Sequence, residues 1–193
     1  MSSAGGLQVL VVDDEPDVTE AYAVWLGDRY EVRTATSGAA ALEAVDEAVD
    51  VVLLDRRMPG LSGDEVLERL DERDLDPRVA MVTAVDPDFD ILEMPFDDYL
   101  TKPVTREELT DTVDRLAAVT EYDDRSRRLF ALAQKRAALE TGKTGTELAD
   151  SEKYAELTDR ISRLRETLTA DIADADTETV EMLFREFSAG PND

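Results

Sequence analysis

Apolar residues recur along this 193-residue chain in two rhythms. Through the first 120 positions, short runs rich in β-branched residues alternate with amphipathic stretches. The runs at 7–12, 31–36, 49–54, 78–83 and 98–101 read as strands. Positions 9–12 and 51–54 are apolar without a break, the pattern of strands covered on both faces of a parallel sheet. Five such strands alternating with helices predict a doubly wound α/β domain over residues 1–120. Beyond it the rhythm turns helical. Val and Ile number 18 before position 121 and 3 after it, and no proline interrupts residues 104–190.

Residues 121–193 therefore form a second, helical region. Thr105 and Glu108 are spaced as a capping box, and Leu109, Val113 and Leu116 line one face of the helix that closes the first domain. No breaker follows until Gly142, so the helix is predicted to run on through Tyr122, Leu129, Leu132 and Leu139, with the apolar stripe changing register near residues 117–122. The segment TGKTGT at 141–146 contains a Gly-Lys-Thr, but Ala137 stands where a phosphate loop needs its first glycine and a helix precedes it. It reads as an interhelical turn. A second helix starts near Ser151 with Tyr154, Leu157, Ile161, Leu164 and Leu168 on one stripe. A third carries Val180, Leu183, Phe184 and Phe187 before Gly190 and Pro191 stop it. The two longer helices are expected to pack as an antiparallel hairpin, the third covering one end. Short of core partners, such helices would gain by pairing with a second copy, so a homodimer is expected.

Charge changes this picture in one respect. With 46 acidic and 21 basic side chains the net charge is −25, a field that repels polyphosphates and anionic membranes. Hydrophobic residues still make up 42% of the chain, enough to close a core. Only four of the 21 basic residues are lysine. A surface so dominated by carboxylates suits high salt, where screening acts over about 3 Å. No apolar run reaches the roughly 18–20 residues of a membrane span, and the first six residues are too short and uncharged for a secretory signal. A cytoplasmic protein without membrane association is expected.

Histidine and cysteine are both absent, which excludes imidazole bases, thiol nucleophiles and zinc sites with those ligands. Candidate chemistry lies at the carboxyl ends of the strands, where open α/β sheets bind ligands. The first strand ends in Asp13 and Asp14, the third in Asp55 and the fourth in Thr83; Lys102 and Pro103 follow the fifth. Three carboxylates at one sheet edge repel unless a cation shares the site, and oxygen-only ligands suit Mg²⁺. Asp55, leaving a buried run, is the natural phosphoryl acceptor, with Lys102 and the Thr83 hydroxyl able to meet the phosphoryl oxygens.

The motifs VLVVDDEPD, DVVLLDRRMPGLSGDEVL, VTA and DDYLTKP, in this order, resemble the receiver domain of two-component response regulators over residues 7 to about 119. That resemblance implies a flavodoxin-like sheet of order 2-1-3-4-5 and phosphorylation of Asp55 by a sensor histidine kinase. It also implies Mg²⁺ bound by Asp13, Asp14, Asp55 and the backbone carbonyl of Arg57. Thr83 and Lys102 become phosphoryl contacts, Thr83 and Tyr99 the switch residues, and the Lys102–Pro103 peptide cis. One departure stands out. Between Thr83 and Lys102 the stretch VDPDFDILEMPF, framed by Pro87 and Pro95, leaves room for only about two helical turns where receivers place a fuller helix. Many receivers signal through that helix. The second region resembles the HalX domain found after receivers in haloarchaeal regulators.

Three functions compete. A phosphorylation switch would relay its signal through the helices to a protein partner or a second copy. A DNA-binding regulator would use Arg125, Arg127, Arg128, Lys135 and Arg136, five cations within twelve residues of one helix, although these also read as a solvated face and no helix-turn-helix pattern accompanies them. A phosphohydrolase would need an acidic residue two positions after its nucleophile, where Arg57 stands.

Overall fold

A computed structural model describes residues 6–73, 75–119 and 124–172, with the side chains of 118–119, 124–125 and 168–172 left aside. Five strands, β1 (Gln8–Val12), β2 (Glu31–Ala35), β3 (Val51–Leu54), β4 (Arg78–Thr83) and β5 (Asp98–Thr101), form one sheet of order β2-β1-β3-β4-β5. All four pairings are parallel. The apolar runs at 9–12 and 51–54 are the central strands, buried at every position. Alternate side chains of these strands feed two separate cores. Val9, Val11, Val51, Leu53, Ala80 and Val82 face α1 (Pro16–Leu26) and α4 (Arg106–Val119), where Leu109, Val113 and Leu116 are fully buried. Leu10, Val12, Val52, Leu54, Val79 and Met81 face the other way, toward α2 (Gly38–Ala44) and α3 (Gly63–Glu72).

On that second face the connection from β4 to β5 contributes only a 3₁₀ turn, Phe89–Glu93. Two prolines and four acidic residues between Val85 and Phe96 shorten it as expected. One such turn, with Ile91 buried beneath it, cannot cover two strands. The cover comes from further along the chain. Helices α5 (Asp124–Gly142) and α7 (Glu152–Ile172) fold back on one another, and Leu129, Leu132, Leu139, Leu157 and Ile161 enter the same core as Val79, Met81, Ile91, Phe96 and Tyr99. The helical pair therefore takes the place beside β4 and β5 that a longer connecting helix would fill.

Polar contacts follow the same seam. Arg127 pairs with Asp97 at 3.3 Å and also with Asp76. Lys143 reaches Asp88 at 3.0 Å, Lys153 reaches Glu93 at 2.8 Å, and Lys135 donates to the Met94 carbonyl while lying 4.7 Å from the centre of the Phe96 ring. At Gly142 the hairpin lies tight against the β4–β5 connection, because a Cβ there would stand 2.7 Å from Cγ of Pro87. The hairpin is thus not short of core partners, and that ground for pairing with a second copy is overturned: its apolar stripe is already buried against the sheet.

The segment at 141–146 also differs from a plain turn. Helix α5 continues to Gly142, and α6 (Gly145–Ala149) begins at a capping box in which Thr144 and Glu147 satisfy one another's backbone N–H groups. The second long helix starts at Glu152, one residue from the expected Ser151. Tyr122, the third helix with Val180, Leu183, Phe184 and Phe187, and the side chains of Leu168 and Arg125 lie outside the described residues.

Candidate functional site

Backbone hydrogen bonds carry the sheet one residue past β1, β3 and β5, and so fix where the chemistry-bearing side chains start. The Asp13 N–H donates to Ala35 O at 3.1 Å, the Asp55 N–H to Val12 O at 2.9 Å, and the Lys102 N–H to Thr83 O at 2.8 Å. Beyond those points each chain turns away. Asp13 makes its own turn by accepting from the Glu15 N–H at 3.0 Å, and Pro16 opens α1. After Asp55 the loop returns to the sheet at Gly63, whose N–H donates to Arg56 O at 2.9 Å. A Cβ at Gly63 would lie 2.3 Å from the Asp55 carbonyl oxygen, so only glycine lets α3 start this close to the strand end. The Ser62–Glu65 capping box then secures that helix.

Asp13, Asp14 and Asp55 converge so that one oxygen of each lies within 4.8 Å of the others. Asp13 and Asp55 are buried, at 2% and 7% exposure, and Asp14 is half-buried. The Lys102 ammonium bridges Asp13 at 2.5 Å and Asp55 at 3.1 Å. Burial works against its charge, yet the hydrogen bonds and charges of Asp13 and Asp55 outweigh it and raise the lysine above its ordinary pKa. One ammonium against three carboxylates leaves a surplus of negative charge in a site made wholly of oxygen donors. That donor set fits a small hard divalent cation such as Mg²⁺.

Thr83 is buried at the end of β4, its hydroxyl oxygen accepting from the Val85 N–H at 3.4 Å. The Lys102–Pro103 peptide is cis. Tyr99 lies on the face covered by the hairpin, its ring 5.7 Å from that of Phe96 and its hydroxyl donating to Val85 O at 2.7 Å. Burial raises the phenol pKa, partly offset by the guanidinium of Arg56 beside it. Arg57 is exposed, and its backbone N–H donates to Asp55 Oδ1 at 3.3 Å.

Sequence reasoning passed over Arg56. Its guanidinium is mostly buried, pairing with Asp64 on α3 at 3.1 Å and with Asp90 on the 3₁₀ turn. It lines an open cleft of about 700 Å³ together with Asp14, Arg57, Asp64, Val85 and Asp90. Two acidic residues placed one helix start and one turn away are no signal in a chain this rich in Asp.

The four tail cations with described side chains do not form a single face. Arg127 and Lys135 turn toward the sheet, Arg136 pairs with Glu140 at 3.5 Å, and Arg128 is exposed. Lys135 is buried enough that its pKa falls to about 8, although Asp97 opposes the shift. These two residues belong to the seam between hairpin and sheet.

A five-stranded parallel sheet of this order, carrying an acidic cluster and a lysine at its carboxyl edge, defines a receiver-type α/β protein. Residues 9–114 match the response regulator receiver domain and residues 118–184 match the HalX domain. The chain belongs to the response regulator receiver family. It is 48% identical over 158 residues to a protein of Haloferax volcanii described as a candidate transcriptional regulator, a match spanning 81% of this chain and 27% of that one. It is 41% identical over 116 residues to the sensory transduction protein RegX3 of Mycobacterium tuberculosis, covering 58% of this chain and 49% of the relative. The chain thus spans about a quarter to a half of the length of these curated relatives. Among solved structures, the response regulator TrrA of Thermotoga maritima, in complex with Mg²⁺ and a beryllium fluoride, superposes with a TM-score of 0.51 at 32% identity, covering 57% of this chain and 98% of that one. No described helix is long and apolar enough to cross a membrane.

Proposed function

We propose that this two-component regulator accepts a phosphoryl group on Asp55 from a sensor histidine kinase and relays that state through its helical hairpin. The observation that carries the reading is the Lys102 ammonium joined to both Asp13 and Asp55 at the sheet edge. In the transfer, a carboxylate oxygen of Asp55 attacks phosphorus as the bond to the kinase's imidazole nitrogen breaks, and the imidazole keeps the electron pair. Asp13, Asp14, Asp55 and the Arg57 carbonyl would hold Mg²⁺, which when bound supplies positive charge to the phosphoryl oxygens. Lys102 offers the same from the other side, and the Thr83 hydroxyl is free to donate its proton to a phosphoryl oxygen. With Arg57 two positions after Asp55, no acidic side chain there can protonate a leaving alcohol, so hydrolysis of external esters lacks its proton donor.

The domain reading is a receiver over 1–120 and a HalX-type output region over 121–193, working in a saline cytoplasm suited to the chain's net charge of −25. For the output, contact with a protein partner or a second copy fits better than DNA, because Arg127 and Lys135 are spent on the chain's own sheet. Incubation with a phosphorylated histidine kinase domain and Mg²⁺ in molar KCl tests the central step. Label should move to the wild-type chain and not to Asp55→Asn; equal labelling of the variant would remove the assignment.

A further inference from the structure

The 3₁₀ turn Phe89–Glu93 is held from two sides. On one, Asp90 pairs with Arg56, the residue that follows Asp55. On the other, the hairpin grips the same short stretch through Lys143 on Asp88, Lys153 on Glu93 and Lys135 on the Met94 carbonyl. Beyond the bonds within the turn itself, its ends are tied by Ile91 N–H to Asp88 O at 3.1 Å, Met94 N–H to Ile91 O at 3.3 Å, and the Asp88 cap on Phe89. A turn of only five residues is seated by these outside contacts and by the buried Ile91.

Arg56 follows Asp55 directly in the chain. Its carbonyl is fixed by Gly63, while its guanidinium lines the cleft that Asp14 also borders. It is shared between two carboxylates, of which Asp90 is half-exposed and stands on the short 3₁₀ turn. A phosphoryl group on Asp55 replaces its single negative charge by up to two, in the cluster it shares with Asp14 at the edge of this cleft, and brings three strong acceptor oxygens, which compete for a guanidinium.

We infer that Arg56 is the positioning residue that couples Asp55 to the hairpin: it leaves Asp90 when Asp55 carries a phosphoryl group, the 3₁₀ turn is released, and the grip on α5 and α7 loosens. The inference rests on Asp55 being the phosphoacceptor, and its test separates the two claims. Hydrogen exchange of residues 124–167 is followed in the whole chain, in molar KCl with Mg²⁺, with and without beryllofluoride, while ¹⁹F NMR reports beryllofluoride binding independently. In the wild type, exchange across α5 and α7 rises about fivefold or more on binding, the scale of a modest coupling between sites. In Arg56→Gln, and in Asp90→Asn, which leaves Arg56 its Asp64 partner, exchange is already raised and beryllofluoride adds nothing. Arg56→Lys restores part of the response.

A merely structural Arg56 would shift the resting exchange and keep the beryllofluoride-induced difference. Variants that bind beryllofluoride and respond as the wild type does would overturn the coupling while leaving the phosphoacceptor in place. Failure of the wild type to bind beryllofluoride would remove both.

Discussion

Leu139→Ala measures how far the sheet relies on the hairpin. Leu139 is fully buried in the core that α5 and α7 share with β4 and the 3₁₀ turn. Truncating a leucine at such a site costs about 2–5 kcal/mol, from lost transfer energy and the cavity left behind. With a urea dependence of about 2 kcal/mol per molar for a chain of this size, the midpoint should fall by about 1–2.5 M. Trp25, the single tryptophan, sits on α1 against the opposite face of the sheet, its ring 5.4 Å from that of Tyr22. Its fluorescence reports the receiver core, not the hairpin. If the two parts unfold as one, the Trp25 transition moves down by that amount and coincides with the loss of helical circular dichroism. Gly142→Val should act the same way by the opposite perturbation, forcing Pro87 aside without emptying the core. A Trp25 midpoint unchanged in Leu139→Ala, with the dichroism splitting into two steps, refutes the shared core.

Other expectations follow from single groups. Lys135 titrates near pH 8 in the folded chain against an ordinary value of 10.5, so between those values the unfolded chain holds the extra proton. Wild-type stability should rise from pH 8 to 10.5, and be lost as pH falls through 8, by about 2–3 kcal/mol more than in Lys135→Met; parallel curves in urea titrations across that range would contradict it. Mg²⁺ should raise the thermal midpoint of the wild type but not of Asp13→Asn, and an equal rise in both would place the cation elsewhere. Gel mobility with genomic fragments in molar KCl should show no sequence-selective retardation. Retardation that Arg128→Ala abolishes would restore the DNA-binding reading.

The sheet was legible because short runs rich in β-branched residues, unbroken at 9–12 and 51–54, alternate with amphipathic stretches, and the candidate site because Asp13, Asp14, Asp55, Thr83 and Lys102 stand where the strands end. The hairpin was legible as helices but not as a cover for the sheet. A stripe of Leu129, Leu132 and Leu139 shows that a face is buried without naming what it meets. A signal did exist: a β4–β5 connection too short for a full helix leaves β4 and β5 bare on one side, and a bare sheet face must be covered by something. Arg127 and Lys135 were harder. Cations at a rim look the same in sequence as cations in water, and only the positions of Asp97, Met94 and Phe96 separate the two.

Because Leu139, Leu157 and Ile161 complete the core over β4 and β5, this receiver is not a portable cassette. Recombination that joined residues 1–119 to an unrelated effector would leave a greasy trough open beside Tyr99 and Phe96. A lineage carrying so short a β4–β5 connection inherits its two parts together, and can diversify its outputs only on the outward surfaces of the hairpin.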